Sequence, residues 1–453
     1  MPSARSTVSL HAAPFRLLLA LALVAVSAHA QPAPSNSSAP ATPATLTAPV
    51  APPITGAALA GLTGADAVML GLMEKFAVPG AQLAVARHGR LVLARGYGFA
   101  DLDTRAPVTP TARFRLASLS KLLTAVAVLK LVEDGKLTLD APAFALLPEF
   151  APPPGTTADP RLAAITVRQL LQHTAGWDRA ASGDPMFKPR DIAAATQTPA
   201  PASAAAILRY MMGRPLDFDP GAKYAYSNFG YNVLGRLVEK ISGQPYADFV
   251  QARVLAPAGA GGFALGRSLW PDRAADEVRY YDEPGARRFP AVFPGVREPV
   301  AAPDGGFHLE AMDAHGAWIA NAIDYVRLVC ALDGSRPPAL LAAASIAELT
   351  ARPAPPVAVG AAAYYGFGIN IRPVRGAGLG ANWWHGGSLP GTITYQVRLA
   401  NGWTWAAFFN TRPQESNALT GELDRAMNAA LAAATPPAEG DLFPRFAASA
   451  VRQ

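Results

Sequence analysis

Two hairpin signals stand at opposite ends of this chain, and together they constrain its fold more than any other feature. Near the start, the strand-like runs Gln82–Arg87 and Leu91–Ala94 flank His88-Gly89. Near the end, Thr394–Ala400 and Trp403–Asn410 flank Asn401-Gly402. Asn-Gly between two such runs is the strongest short hairpin signal, because both residues tolerate the positive φ of a tight turn. The long stretch between the hairpins reads as helices and irregular segments rich in Pro and Ala. Strands at both ends with helices between them predict an α/β (α+β) fold, one sheet built from both termini with a helical lobe inserted.

Apolar spacing places the helices. Ala65–Phe76 turns Val68, Met69, Leu72 and Met73 inward. Further helices are expected over Leu119–Val132, over Tyr231–Ile241 with a stop at Ser242-Gly243, from near Ala322, and over Ala418–Ala433. With 453 residues, 51% of them hydrophobic, the chain can bury a large core.

The first thirty residues read as a secretory signal. Arg5 and Arg16 precede the apolar run Leu17–Val26, and Ala28-His29-Ala30 offers a small-x-small cleavage site. That run is short for a membrane span, so no stable span is expected once the signal is cleaved, and the expected location is periplasmic or secreted. Residues 31–56 carry no charge and are dominated by Pro, Ala, Ser and Thr, the composition of a disordered spacer. Order is expected to begin near Gly61, with one domain over residues 57–435 and a tail over 436–453. The single cysteine, Cys330, lies among Val326, Leu328, Val329 and Leu332, which suggests a buried structural thiol and excludes a disulfide within the chain. The formal charge is +6, of which Arg5 and Arg16 supply two. The basic residues are scattered, with no run interleaved with aromatics, so nucleic-acid binding is not expected.

Three segments carry chemistry. Ser118-Leu119-Ser120-Lys121 opens an apolar-periodic helix, and positions three apart share a helix face, so the Ser118 hydroxyl and Lys121 amine can meet near the helix N-terminus. Tyr226-Ser227-Asn228 follows Pro220-Gly221, and His385-Gly386-Gly387-Ser388 follows Trp383-Trp384. Acyl transfer needs an activated nucleophile, a proton acceptor and donor, and an oxyanion hole. Ser118 is the candidate nucleophile. Lys121 serves as base only when neutral, which burial would favour. The Tyr226 phenol can shuttle a proton to the leaving group, and Asn228 can orient Lys121 and bond a substrate amide. The glycines after His385, Gly387 among them, let a strand approach the substrate closely. The backbone N–H groups of Ser118 and Ser388 are then candidate oxyanion donors.

Ser-x-x-Lys, Tyr-x-Asn and a glycine-bearing third motif, in this order, resemble the serine β-lactamase and penicillin-binding superfamily, and most closely its class C β-lactamase branch with the related DD-peptidases and esterases. Val78-Pro79-Gly80, Arg95-Gly96-Tyr97-Gly98, Phe114–Ser118 and Gln172-His173-Thr174-Ala175-Gly176 extend the resemblance over roughly residues 60 to 435. The resemblance implies a β-lactamase/transpeptidase-like fold, an antiparallel sheet flanked by helices beside an all-helical lobe, with the site between them. It implies Ser118 as nucleophile, Lys121 and Tyr226 as acid–base pair, Asn228 as orienting amide and His385 as the third-motif residue. The branch usually carries Lys-Thr-Gly where this chain has His385-Gly386-Gly387. A histidine is largely neutral at pH 7 and would hold a substrate carboxylate less firmly than lysine. The expected function is therefore hydrolysis of an ester or small peptide through an acyl-Ser118 intermediate, with no cofactor. A true class C-type β-lactamase and a non-catalytic penicillin-binding sensor are the alternatives.

Other residues read as structural. His173, before Ala175-Gly176-Trp177, looks like a helix C-terminus with a satisfied side chain. The spacings of His308 and His315 relative to Asp304, Glu310 and Asp313 match no metal motif, so no metal is expected. Trp383 and Trp384 read as core and cleft wall, and Asp324 as a carboxylate favoured near a helix start. His385-Gly386-Gly387 superficially resembles the α/β-hydrolase oxyanion loop. That loop precedes its nucleophile, and no Gly-x-Ser-x-Gly lies downstream, so this reading fails.

Overall fold

The computed structural model describes residues 51–283, 285–374, 380–435 and 439–446. The signal-like segment and residues 31–50 of the spacer lie outside the described residues. The main sheet is antiparallel and is made by β1 (Ile54–Ala58), β2 (Gly80–Arg87), β3 (Arg90–Asp101), β4 (Tyr364–Tyr365), β5 (Asn370–Pro373), β6 (Ala381–Leu389), β7 (Thr392–Arg398) and β8 (Trp403–Phe409). Their spatial order is β1-β3-β2-β8-β7-β6-β5-β4, with the short Ala106–Pro107 strand added to β3. The early β2 therefore pairs with the late β8, from Ala81 opposite Phe409 to Arg87 opposite Trp403. The two hairpin turns touch, as His88 N donates to Gly402 O at 2.8 Å. His88, Gly89 and Gly402 all have positive φ, as tight turns require.

Both faces of the central strands are covered, and strand periodicity sorts the residues between them. Leu83, Val85, Trp405, Ala407 and Phe409 face α1 (Thr63–Lys75) and the C-terminal helix Ser416–Ala433. Ala84, Ala86, Ala406 and Phe408 face the other way, into the larger core. That core surrounds α2 (Ser120–Glu133), whose residues from Ser120 to Leu129 are all buried. A helix apolar on every side must sit inside the protein rather than on it. Against α2 pack α3 (Asn228–Ser242) and the shorter helix Tyr246–Val250; α3 in turn packs on Val167–Leu171 and Ala204–Met212, while α4 (Ala322–Leu332) lies on the sheet strands β2 and β8. The C-terminal helix is α5. Cys330 is buried in α4, where burial pushes its thiol up to about 12. Asp324 lies in the first turn of α4, where its carboxylate pairs with Arg327 at 3.0 Å.

The structure corrects two boundaries. The spacer was expected to run to residue 56, yet β1 already pairs with β3 from Ile54 opposite Tyr97. Its backbone ladder, rather than apolar side chains, holds this edge strand. Gly56, at φ +88, lies against Ala94 O and Pro110, where no Cβ fits. The tail expected from residue 436 contains a docked segment. Leu442 N donates to Leu91 O at 2.8 Å, and Leu91 N donates to Asp441 Oδ1 at 2.9 Å. Phe443 is buried with Arg336 and Arg327 against its ring. The two ends of the described domain thus lie together, and Gly61 packs against Thr435. A small sheet of Phe114–Arg115, Trp318–Ala320 and Ala264–Leu265 also escaped the sequence reading, its strands being too short to show a period.

Because Phe443 closes the core beneath two arginines, Phe443→Ala is expected to cost about 3–5 kcal/mol of stability. Urea denaturation measures this, and an unchanged midpoint would show that the segment is not docked.

Candidate active site

Ser118 lies in a single 3-10 turn, Ala117–Leu119, and α2 begins at Ser120. The sequence reading put the helix start one residue earlier. The tighter turn keeps residues three apart aligned, so Ser118 and Lys121 still face each other. Ala117 has φ +49, a left-handed conformation costly for any residue with a Cβ. Its neighbours hold it there. Leu116 N donates to Trp318 O at 2.8 Å, Thr394 Oγ1 donates to Leu116 O at 2.8 Å, and Trp318 N donates to Ser120 Oγ at 3.3 Å.

Lys121 is fully buried beneath Ser118. Its Nζ lies 3.2 Å from Ser118 Oγ, 2.7 Å from Asn228 Oδ1 and 3.1 Å from His315 O. Two of these three partners are carbonyl oxygens, which only accept. A neutral amine has two hydrogens and one lone pair. It can donate to both carbonyls and turn its lone pair to the Ser118 hydroxyl. Burial drives the amine well below the usual lysine range, against the pull of Asp184 and with a further push from Arg179.

Asn228 is held at both ends of its amide, since its Nδ2 donates to Asp184 Oδ2 at 2.7 Å. It is the first residue of α3 rather than its cap. Ser227 is the cap and accepts from Gly230 N at 3.1 Å. Tyr226 precedes the cap. Its hydroxyl is buried and has no hydrogen-bond partner among the described residues. Burial raises its pKa, the nearby Ser118 hydroxyl lowers it, and the phenol stays protonated at neutral pH. Lys121 Nζ lies 4.7 Å from the Tyr226 ring centre.

His385 is buried in β6, and its ring is committed on both sides. Nδ1 lies 2.6 Å from Gly386 O, a pure acceptor, so Nδ1 carries the proton. Nε2 then accepts from Tyr365 OH at 3.0 Å. Burial pushes the imidazole down to about 3, with Lys121 adding to the shift and the Gly386 bond opposing it. Two residues on, Gly387 lies against the Ser118 turn, and a Cβ there would overlap Leu116 O and Thr394 Oγ1.

One cavity of about 590 Å³ is lined by Ser118, Tyr226, Asn228, His385 and Ser388, together with His315 and Tyr365. Lys121 and Gly387 lie just behind this wall. The structure therefore gathers all seven candidate residues at one place. Among the described residues, its lining includes Arg179 and Arg412 and no acidic side chain. Trp383 and Trp384 do not line it. Trp383 is buried against Arg398, and Trp384 packs on Arg372. Trp383 is core, as expected, farther along the His385 face; the cleft-wall expectation fails for Trp384, which the pleat turns to the opposite face. His308 bonds Ala202 O at 2.9 Å, while Asp313 pairs with Arg236 and Asp304 with Arg273. Sequence reasoning missed Asp184, Tyr365 and the His315 carbonyl. Asp184-Pro185 signals a turn, and nothing in Tyr364-Tyr365 marks a partner for a distant histidine.

This chain belongs to the beta-lactamase family, which its residues 65–428 match. Esterase EstB of Burkholderia gladioli is 34% identical over 271 residues, which cover 57% of this chain and 61% of EstB. The chain thus spans about three fifths of that relative's length. Among solved structures, the octameric penicillin-binding protein homologue from Pyrococcus abyssi superposes with a TM-score of 0.62 at 22% identity, covering 81% of this chain and 77% of the other. EstCE1, a hydrolase with promiscuous acyltransferase activity, gives a TM-score of 0.62 at 22% identity, covering 80% and 97%. These two likenesses establish the β-lactamase/transpeptidase-like fold.

A side chain at position 387 must push β6 away from the nucleophile's turn. Gly387→Val is expected to lower kcat/KM on any substrate of this site about 100-fold, the cost of a displacement near 1 Å. Steady-state kinetics with a thermal melt measures this, and full activity in a folded variant would mean the strand need not approach.

Proposed function

We propose that this chain is an exported serine hydrolase that cleaves an ester or a small peptide or amide through an acyl-Ser118 intermediate. The observation that carries the reading is the buried Lys121 amine, whose two carbonyl acceptors leave its lone pair for the Ser118 hydroxyl. Ser118 gives its proton to Lys121 Nζ as Oγ bonds the substrate carbonyl carbon. The backbone N–H groups of Ser118 and Ser388 receive the oxyanion. The Tyr226 phenol then protonates the leaving group, and the Lys121 ammonium restores the phenol's proton. In the second half, water replaces the leaving group. It attacks the acyl carbon, its proton passes to the same pair, and Ser118 regains its hydrogen.

The preference for an ester or small amide over a β-lactam rests on His385. Its ring is neutral and already bonded on both nitrogens, so it offers a carboxylate neither charge nor a free donor. The name of the EstB relative agrees with this preference. Export rests on the signal-like first thirty residues. Among the described residues, no helix is long and apolar enough to cross a membrane. N-terminal sequencing of the exported protein is expected to begin at Gln31, and an N-terminus retaining Arg5 would refute cleavage there.

Intact-mass analysis after a fluorophosphonate is expected to show one adduct on the wild type and none on Ser118→Ala. Labelling that survives the substitution would put the nucleophile elsewhere. An acyl adduct from an ester substrate is expected to form and then be lost; one that never hydrolyses would favour the sensor reading.

The base must be neutral, and burial lowers the pKa of Lys121, so activity is expected to rise with pH through an acid limb well below 10.5. A pH profile of kcat/KM locates the limb. An inflection at the ordinary lysine value would assign the proton acceptor to another group.

Restoring a cation at the third motif reverses the preference. His385→Lys is expected to raise the ratio of cephalosporin to short-chain ester turnover by about tenfold or more, the yield of one charge-assisted hydrogen bond. An unchanged ratio would show that position 385 does not select the substrate.

A further inference from the structure

We propose that His173 is a positioning residue that sets the direction of the Tyr226 phenol. The inference rests on the role proposed above for Tyr226 as proton donor to the leaving group. His173 lies in the segment after the short Val167–Leu171 helix and is buried. It holds the backbone on both sides of Tyr226. Ala225 N donates to His173 O at 2.9 Å, and Ser227 N donates to His173 Nδ1 at 3.2 Å. One residue thus brackets the tyrosine, with its main chain before it and its side chain after it. Thr174 extends the grip, its carbonyl accepting from Gly221 N at 2.7 Å.

The ring also packs on the side chain it brackets. The His173 and Tyr226 ring centres are 4.3 Å apart, and those of His173 and Tyr365 are 4.5 Å apart. Tyr231 and Tyr224 complete an aromatic enclosure. Because Nδ1 accepts from Ser227, the ring proton sits on Nε2, which has no hydrogen-bond partner among the described residues. A buried N–H left without a partner is costly. A phenylalanine would fill the same space without that cost, but it could not accept from Ser227. The acceptor at Nδ1 is therefore what the histidine supplies. The backbone of His173, at φ +58, is left-handed, a conformation that His and Asn adopt more readily than most residues.

Among the described residues the Tyr226 hydroxyl has no hydrogen-bond partner to fix its tip, although the Ser118 hydroxyl lies near it. Its aim is set by its backbone and by the rings around it. Losing the Ser227 bond would free the peptide that follows the tyrosine and let the phenol drift from the leaving group. The nucleophile would keep its place, because Ser118 lies in the turn before α2, Lys121 keeps the His315 carbonyl, and Asn228 is held independently by Asp184.

The test compares two esters of one acid. A p-nitrophenyl ester has a leaving group that departs without a proton, whereas an ethyl ester needs one from the phenol. His173→Phe is expected to lower ethyl-ester kcat/KM, which reports acylation, about 10- to 100-fold while changing p-nitrophenyl-ester kcat/KM less than about threefold. His173→Asn, whose Oδ1 can accept from Ser227 N, is expected to restore ethyl-ester kcat/KM to within about threefold of wild type. Equal losses on both esters, or no loss on either, would overturn the proposal. Neither result would touch the acyl-Ser118 reading, which the Ser118→Ala labelling decides separately. Should His173→Phe fail to fold, nitrogen NMR of the labelled wild-type imidazole decides the matter. The bracket requires an unprotonated Nδ1, and a protonated Nδ1 would refute it.

Discussion

The rest of the site depends on a primary amine buried where, among the described residues, no carboxylate touches it. Lys121 meets two amide carbonyls and one hydroxyl, and these accept or share a proton without adding charge. A charged ammonium in that position would be desolvated without a direct counter-ion. Asp184 bonds Asn228 rather than the lysine, and its charge pulls on the amine only from a distance. The fold resolves the cost by favouring the neutral amine, which is the form able to take a proton. Four separate segments must converge to make this enclosure. They are the turn before α2, the first residue of α3, the His315 carbonyl, and the strand that closes over Ser118.

That strand explains the third motif. Gly387 is needed because β6 runs against Leu116 and Thr394, leaving no room for a Cβ. His385, two residues earlier on the same face, is locked between Gly386 and Tyr365. The usual lysine there would bring a charge into the cavity. Here the side chain instead ties β6 to Tyr365 in β4. The cations lining the cavity, Arg179 and Arg412, come from loops. Positive potential around the nucleophile is thus supplied from loops and not from the sheet.

Much of this was legible in the sequence, for identifiable reasons. The Asn401-Gly402 turn and the strand-like runs beside it announced the β7–β8 hairpin, because both the turn and the runs are local. The long α2 helix was legible from its apolar run. Ser118, Lys121, Tyr226 and His385 were legible as motifs, and the fold brings them together. What escaped depends on partners distant in the chain. Tyr365 acquires its role only by meeting a histidine twenty residues on, across strands. Asp184 reads as a turn-former until Asn228 reaches it. The edge strand β1 is held by backbone pairing, to which its side chains give no clue. Trp383 is core as read, but Trp384 was misassigned to the cleft wall because its position beside the motif says nothing about which face it takes.

The meeting of Gly61 with Thr435 bears on the fold's connectivity. Both ends of the described domain reach one corner, so a short linker could join them at a small entropic cost. The chain could then be opened at an exposed loop with its strand pairings intact. The order in which the serine, tyrosine and histidine segments follow one another is therefore a matter of ancestry. The architecture itself requires only that they arrive at the same place.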